Sequence, residues 1–173
     1  YGFFQSLIKN FPNYNFKREK VLIIGAGGAS RAVTSVFLKQ NIKELRIINR
    51  NIDKAIKIKN DLSSRIKVYN WSEFQNSLNE VTTIINTTSL GNLGSEHFNI
   101  SLKGVKKGGI AIDLIYNPLK TSFMKQAEKE NMRVINGLDM LIYQAKNGFQ
   151  NWFKKKTTYT NELRKIIEDS IKS

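Results

Sequence analysis

The residues most able to do chemistry lie in two short stretches. The first is VLIIGAGGASRA, residues 21–32. A buried apolar run meets Gly25, where the chain must turn sharply. Gly27 leaves room for backbone to approach a pyrophosphate, and Ser30 fills the third place of a G-x-G-x-x-G pattern, where a small residue lets a helix pack on its strand. The N–H groups that open such a helix point at bound phosphate, and the helix dipole favours the negative charge. The second stretch is ELRIINRNIDK, residues 44–54. A strand ends there in Asn49-Arg50-Asn51, about twenty residues past the glycine turn, where a fold that takes NAD places an Asp or Glu on the ribose hydroxyls. No carboxylate stands at that strand end to repel a ribose 2′-phosphate. Arg50 offers a planar fork to it, Lys54 a second cation one helical turn on, and Asn49 and Asn51 amide donors. Arg50 alone reads as a solvated surface arginine. Coupled to the glycine turn and the missing acid, it predicts NADP(H) rather than NAD(H).

The elements that must hold these stretches alternate in type. Apolar runs at Lys20–Gly25, Glu44–Asn49, Ile66–Tyr69, Thr82–Thr88, Gly109–Tyr116 and Met132–Asn136 read as strands. Helical patterns fall at Ala29–Gln40, Ile52–Leu62, Leu119–Glu130, Leu138–Phe153 and Thr158–Ile171, the last capped by Thr160 or Asn161. In the first of these, Ala32, Val33, Val36 and Phe37 share a face. Lys154–Lys156 would cap the C-terminal end of the helix before them. The expected fold is α/β: a doubly wound, mostly parallel, six-stranded Rossmann-like sheet of order 3-2-1-4-5-6, with extra N- and C-terminal helices.

Composition narrows the class. With 173 residues the chain suits one domain, and it contains no cysteine, so disulfides and Cys-based zinc sites are excluded. No apolar run approaches the roughly 20 residues that span a bilayer. The opening YGFFQSLIKN lacks the basic lead and long apolar run of a signal peptide, and a cytoplasmic protein is expected. The net charge of +14 comes from lysines spread over nearly every segment. Without a basic-plus-aromatic recognition motif, neither a nucleic-acid nor a membrane partner is expected.

Five motifs in register carry a family resemblance: GAGGASRA, NRN, INTTSLG, DLIYNPLKT and GLDMLIYQA. Together they resemble the C-terminal half of shikimate dehydrogenase, over nearly the whole chain. The resemblance implies that Gly25, Ala26, Gly27, Gly28 and Ala29 bind the NADP pyrophosphate, and that Asn49, Arg50, Asn51 and Lys54 hold the 2′-phosphate. It implies that Thr87, Thr88, Ser89 and Leu90 line the nicotinamide-side ribose and loop, and that Leu114 and Gly137 border the nicotinamide. Tyr116 would reach the substrate carboxylate and Gln144 a substrate hydroxyl. Structural readings compete at three positions: Tyr116 as a strand-end core aromatic, Gln144 as an exposed filler, Asp113 as a loop cap. Departures from the family pattern are Asn92, where methionine usually follows Gly91, Asp139, where glycine is common, and Lys54, where arginine is frequent. His97, in the polar loop GSEHFN, is assigned no catalytic role.

In the family, serines that hold substrate and a catalytic lysine–aspartate pair belong to an N-terminal domain. The resemblance implies that this chain is a single NADP-binding domain, residues 1–173, that begins at the domain junction. It would bind NADP(H) yet turn over little by itself, sharing shikimate or 3-dehydroshikimate with the missing domain. The helices near 2–10 and 138–173 would face that domain, leaving Phe3, Phe4, Leu7, Trp152 and Phe153 as an apolar patch able to drive association. The full enzyme would reversibly reduce 3-dehydroshikimate to shikimate with NADPH, in aromatic amino-acid biosynthesis. The alternatives are a quinate/shikimate dehydrogenase with relaxed cofactor use and a nucleotide-binding module without catalysis.

Overall fold

Six parallel strands form one sheet in the order β3-β2-β1-β4-β5-β6. The computed structural model describes residues 1–96 and 100–172, so His97 lies outside the described residues. The strands are β1 (Lys20–Ile24), β2 (Glu44–Ile48), β3 (Lys67–Tyr69), β4 (Thr83–Asn86), β5 (Ile110–Asp113) and β6 (Arg133–Ile135). The helices are α1 (Gly2–Asn10), α2 (Gly28–Lys39), α3 (Ile52–Leu62), α4 (Phe74–Ser77), α5 (Ser122–Lys129), α6 (Leu138–Phe153) and α7 (Asn161–Lys172).

The central strands are apolar on both faces because helices cover both. Val21 and Ile23 of β1 join a core with Phe37 of α2 and Ile58 of α3, while Leu22 and Ile24 join the opposite core with Phe74 of α4 and Phe123 of α5. Side chains alternate across the sheet with a period of two, so one apolar run serves two layers. Phe37 is fully buried, which stabilises the fold by roughly 1.5–3 kcal/mol relative to exposure.

Several expectations change. In α2 the buried face is Ser30, Val33, Thr34 and Phe37, so Ala32 points to solvent and Val36 is half-buried. The runs 82–88 and 109–116 pair only over β4 and β5, because Asn86 and Asp113 turn their side chains to the backbone N–H groups of Thr88 and Ile115. The helix read from Leu119 begins at Ser122, since Thr121 is its cap and accepts from the Met124 N–H at 3.2 Å. Residues 71–77 are helical, which no apolar period announced. The legible signal was Asn70 with Glu73 three residues on, a reciprocal capping box in which Glu73 accepts the Asn70 N–H at 2.9 Å. Thr160 caps α7, accepting the Leu163 N–H at 3.1 Å, and Lys154 ends α6 in the left-handed region.

The expected apolar patch is half wrong. Phe3 and Leu7 are 6% and 0% exposed, because α1 lies against α6 and tucks both side chains into the core. Phe3 meets Phe37 edge-on at 5.7 Å between ring centres, and half-buried Phe4 stacks on Phe16 at 6.2 Å. The close α1–α6 crossing needs Gly2: a Cβ there would stand 2.6 Å from the Met140 carbonyl oxygen. Trp152 and Phe153 remain exposed.

Asp139, where the family pattern commonly has glycine, joins three helices. In the first turn of α6 its carboxylate accepts from Asn10 (2.7 Å), Tyr159 (2.6 Å) and Arg164 (2.8 Å) and pairs with Lys9 (3.3 Å). It ties α1 and α7 to one point of α6. Burial would raise its pKa, but the Tyr159, Asn10 and Arg164 hydrogen bonds and the Lys9 charge outweigh that and hold it at about 2.

Candidate functional site

In a doubly wound sheet, ligands bind beyond the carboxyl ends of the strands, where the order reverses. Here β1 lies between β2 and β4, so the reversal opens at Gly25. The ends of β2, β4 and β5 bring the NRN, TTSL and LIY segments to the same edge.

Gly25 is required twice over. Its φ is +108°, and a Cβ would lie 2.6 Å from the Thr87 hydroxyl oxygen and 2.9 Å from the Thr88 methyl. Its N–H donates to the Ile48 carbonyl at 2.8 Å, which fixes the turn to the end of β2. Gly27 and Gly28 face open space, with nothing within 4 Å of an added Cβ. Gly27 is the N-cap of α2, which begins with no side-chain cap and no acidic residue in its first turn. Its leading N–H groups are therefore available to an anion. Ser30 is fully buried against the strand, while Ala29 is exposed and Ala26 half-buried.

At the end of β2, the Asn51 side-chain oxygen caps α3, accepting from Asp53 N–H (3.0 Å) and Lys54 N–H (3.3 Å), and the Asn49 side-chain amide donates to the Asn51 backbone carbonyl at 2.8 Å. These asparagines shape the strand end and hold Arg50 outward. The Arg50 guanidinium lies 5.9 Å from the Trp71 ring centre, and one of its nitrogens is 3.5 Å from a Glu96 carboxylate oxygen. Lys54 is exposed on α3.

The two threonines of the β4 loop are likewise committed. Thr87 donates its hydroxyl to the Ile24 carbonyl (2.7 Å); Thr88 donates to the Asn86 side chain (2.7 Å) and accepts from the Leu90 N–H (3.2 Å). Both are half-buried against neighbouring backbone, and Ser89 stands exposed beside them. Leu114 and Gly137 are in contact. A Cβ at Gly137 would fall 2.0 Å from the Leu114 carbonyl oxygen, and the Gly137 N–H donates to Ile115 at 2.9 Å. Tyr116 is 41% exposed, which rules out the core-aromatic reading. Gln144 is exposed on α6, with its stem against Gly2. Asn92 is exposed in its turn, with Leu93 solvent-facing after it.

Sequence reasoning offered Asp113 as a loop cap but missed that it meets Asn86 and Thr121 in a node that holds both loops. Asp113 accepts from Asn86 (3.1 Å), the Ile115 N–H (3.1 Å) and the Thr121 hydroxyl (2.6 Å). The Asn86 amide also donates to Leu90 at 3.2 Å. Burial pushes the Asp113 carboxyl up to about 6, against the pull of those three donors. The loop-cap reading of Asp113 is the one observed. Concavities of about 140 and 440 Å³, lined by Lys20, Lys106 and their neighbours, open at the opposite edge of the sheet and contain none of these residues.

The family model described as shikimate / quinate 5-dehydrogenase matches residues 6–136. The shikimate dehydrogenase (NADP(+)) of Ruegeria sp. is 34% identical over 167 residues, covering 96% of this chain and 60% of its own. That of Brucella abortus is 34% identical over 177 residues, covering 100% and 61%. The chorismate mutase/shikimate 5-dehydrogenase fusion protein of Clostridium acetobutylicum superimposes with a TM-score of 0.82 at 28% identity, covering 98% of this chain and 61% of that one. The chain thus spans about 60% of the length of the curated relatives it matches. The matched stretch runs through all six strands, the glycine turn and both site loops, and on that extent the chain belongs to the shikimate/quinate 5-dehydrogenase family.

Proposed function

We propose that this chain is the NADP(H)-binding part of a shikimate dehydrogenase, which reversibly reduces 3-dehydroshikimate to shikimate with NADPH. One observation carries the cofactor choice. The strand beside the glycine turn ends in Asn49-Arg50-Asn51 with Arg50 turned outward, and the end of β2 carries no Asp or Glu of its own for the ribose hydroxyls. The similar proteins named NADP-dependent shikimate dehydrogenases support the same reading.

The residues present fit the dinucleotide. The open side of Gly27 and Gly28 and the uncapped start of α2 suit a pyrophosphate. Gly25, Ala26 and Ala29 complete that turn. Arg50 and Lys54 supply two positive charges to the 2′-phosphate, with Asn49 and Asn51 fixing the strand end beneath them. The wall of Thr87, Thr88, Ser89 and Leu90 takes the second ribose, and Leu114 and Gly137 set the backbone against the nicotinamide. NADPH, when bound, supplies the hydride. The protein's part is to hold the ring at one angle and to keep water from its reactive face. Tyr116 offers its hydroxyl to the substrate carboxylate, and Gln144 its amide to a substrate hydroxyl. The reaction also needs a proton donor and further substrate contacts, which this reading assigns to a part of the enzyme outside the matched residues.

The test is a titration of the chain with NADPH and NADH by calorimetry, repeated with Arg50→Ala. A hydrogen bond to a charged group contributes about 1.5–3 kcal/mol. NADPH affinity should therefore fall roughly ten- to hundred-fold in the variant, with NADH unchanged. Equal binding of both cofactors by the unaltered chain refutes the assignment.

A further inference from the structure

Arg50 is not waiting free for a phosphate. Its guanidinium is bracketed by the ring of Trp71, which opens the helical turn before α4, and the carboxylate of Glu96, which arrives from the loop after β4. Both partners of the ion pair are well exposed, 64% and 76% at the side chain. Glu96 is also tied to the nicotinamide-side loop, because its carbonyl accepts the Gly91 N–H at 2.8 Å. Gly91 itself sits at φ +96° one residue after Leu90.

We infer that Glu96 is a carboxylate gate on Arg50, occupying in the cofactor-free protein the guanidinium that a 2′-phosphate must claim. The inference rests on the NADP(H) reading above. A carboxylate and a phosphate monoester compete for the same donors, and placed side by side they repel. Binding of the 2′-phosphate therefore expels Glu96. The Gly91 bond is made by the Glu96 backbone carbonyl, so the carboxylate leaves by side-chain rotation while the turn that begins at Gly91 stays closed. NADH carries no 2′-phosphate, makes no such demand, and leaves the pair in place. Glu96 thus lowers the discrimination that Arg50 would otherwise achieve.

The experiment is a titration of the full chain, its Glu96→Gln and Arg50→Ala variants and the double variant, with NADPH and NADH at low and high salt. Breaking an exposed competing pair should tighten NADPH by about two- to five-fold at low salt, and salt should shrink the gain. NADH affinity should not change. In the Arg50→Ala background, Glu96→Gln should have no effect, because the group it competes for is gone. If Arg50→Ala weakens NADPH while Glu96→Gln changes nothing, the gate is overturned and the cofactor reading stands. If Glu96→Gln weakens NADH, Glu96 is a ribose ligand and the gate is again overturned. If Arg50→Ala leaves NADPH affinity intact, the cofactor reading fails and takes the gate with it.

Discussion

Replacing Asp113 tests whether one buried carboxylate holds both site loops. The side chain is fully buried and accepts three hydrogen bonds: one oxygen from Asn86 and Ile115, the other from Thr121. Asp113→Ala strands all three donors out of water. Each stranded donor costs about 1–3 kcal/mol, and removing a buried charge that was expensive to desolvate returns part of it. The net loss is expected at about 3–5 kcal/mol, a large share of a typical stability of ~5–15 kcal/mol. Asp113→Asn should be far milder. Its carbonyl oxygen keeps the Asn86 and Ile115 bonds, and only the Thr121 hydroxyl must find another acceptor, at about 1 kcal/mol. Urea unfolding of the three proteins reads the difference in midpoint at constant slope. The pH dependence adds a second readout. The folded pKa of about 6 stands above the ordinary carboxylate value of ~3.9, so the native state binds more protons between the two. The stabilisation is full below about pH 4 and is lost as pH rises through about 6. Asp113→Asn abolishes that slope. Equal small losses in the Ala and Asn variants, or an unchanged pH slope in Asp113→Asn, would refute the node.

Two other perturbations follow from the packing. Gly137→Ala drives a methyl to 2.0 Å from the Leu114 carbonyl oxygen, where backbone must move; a loss of about 1–3 kcal/mol or more in urea unfolding is expected, together with weaker NADPH binding. A Gly137→Ala protein of unaltered stability would mean that the two backbones do not meet. Asp139→Asn removes the charge that binds α1 and α7 to α6, so amide exchange in Asn161–Lys172 should quicken while β1 and β4 stay protected. In the unaltered protein the Asp139 contribution is present above about pH 4 and disappears as pH falls toward about 2, because the folded pKa is depressed. Exchange of α7 that is independent of both the substitution and acid would show that Asp139 is not what retains it.

Much of the fold was legible because its causes are local. A strand buried on both faces is an uninterrupted apolar run, and Lys20–Ile24 and Glu44–Ile48 both qualify. A glycine at positive φ between strand and helix leaves its mark at Gly25. The empty acid position after β2 could also be read from residue types alone, and with it the expected cofactor. Burial of Phe3 and Leu7 was not legible, because it depends on how closely two helices far apart in sequence approach, and that approach is fixed by Gly2 against Met140. The commitments of Asn51 and Thr88 were half legible: each is a residue type that bonds groups two or three residues away, yet nothing local says whether it will do so or face a ligand, and the Thr87 bond to Ile24 depends on β4 lying beside β1.

The sequence by itself determined the alternation of strands and helices, the glycine turn after β1 and the presence of an arginine in place of an acid after β2, since each depends on residues adjacent along the chain. Only the tertiary structure decided that Asp113 and Asn86 meet beneath the site, that Asp139 gathers α1 and α7, and that Glu96 faces Arg50. In each case the partners belong to different strands, helices or loops, and their distance is set by sheet order and helix packing. Side chains of either charge or polarity are common in loops; which of them become partners is a property of the fold that brings the loops together.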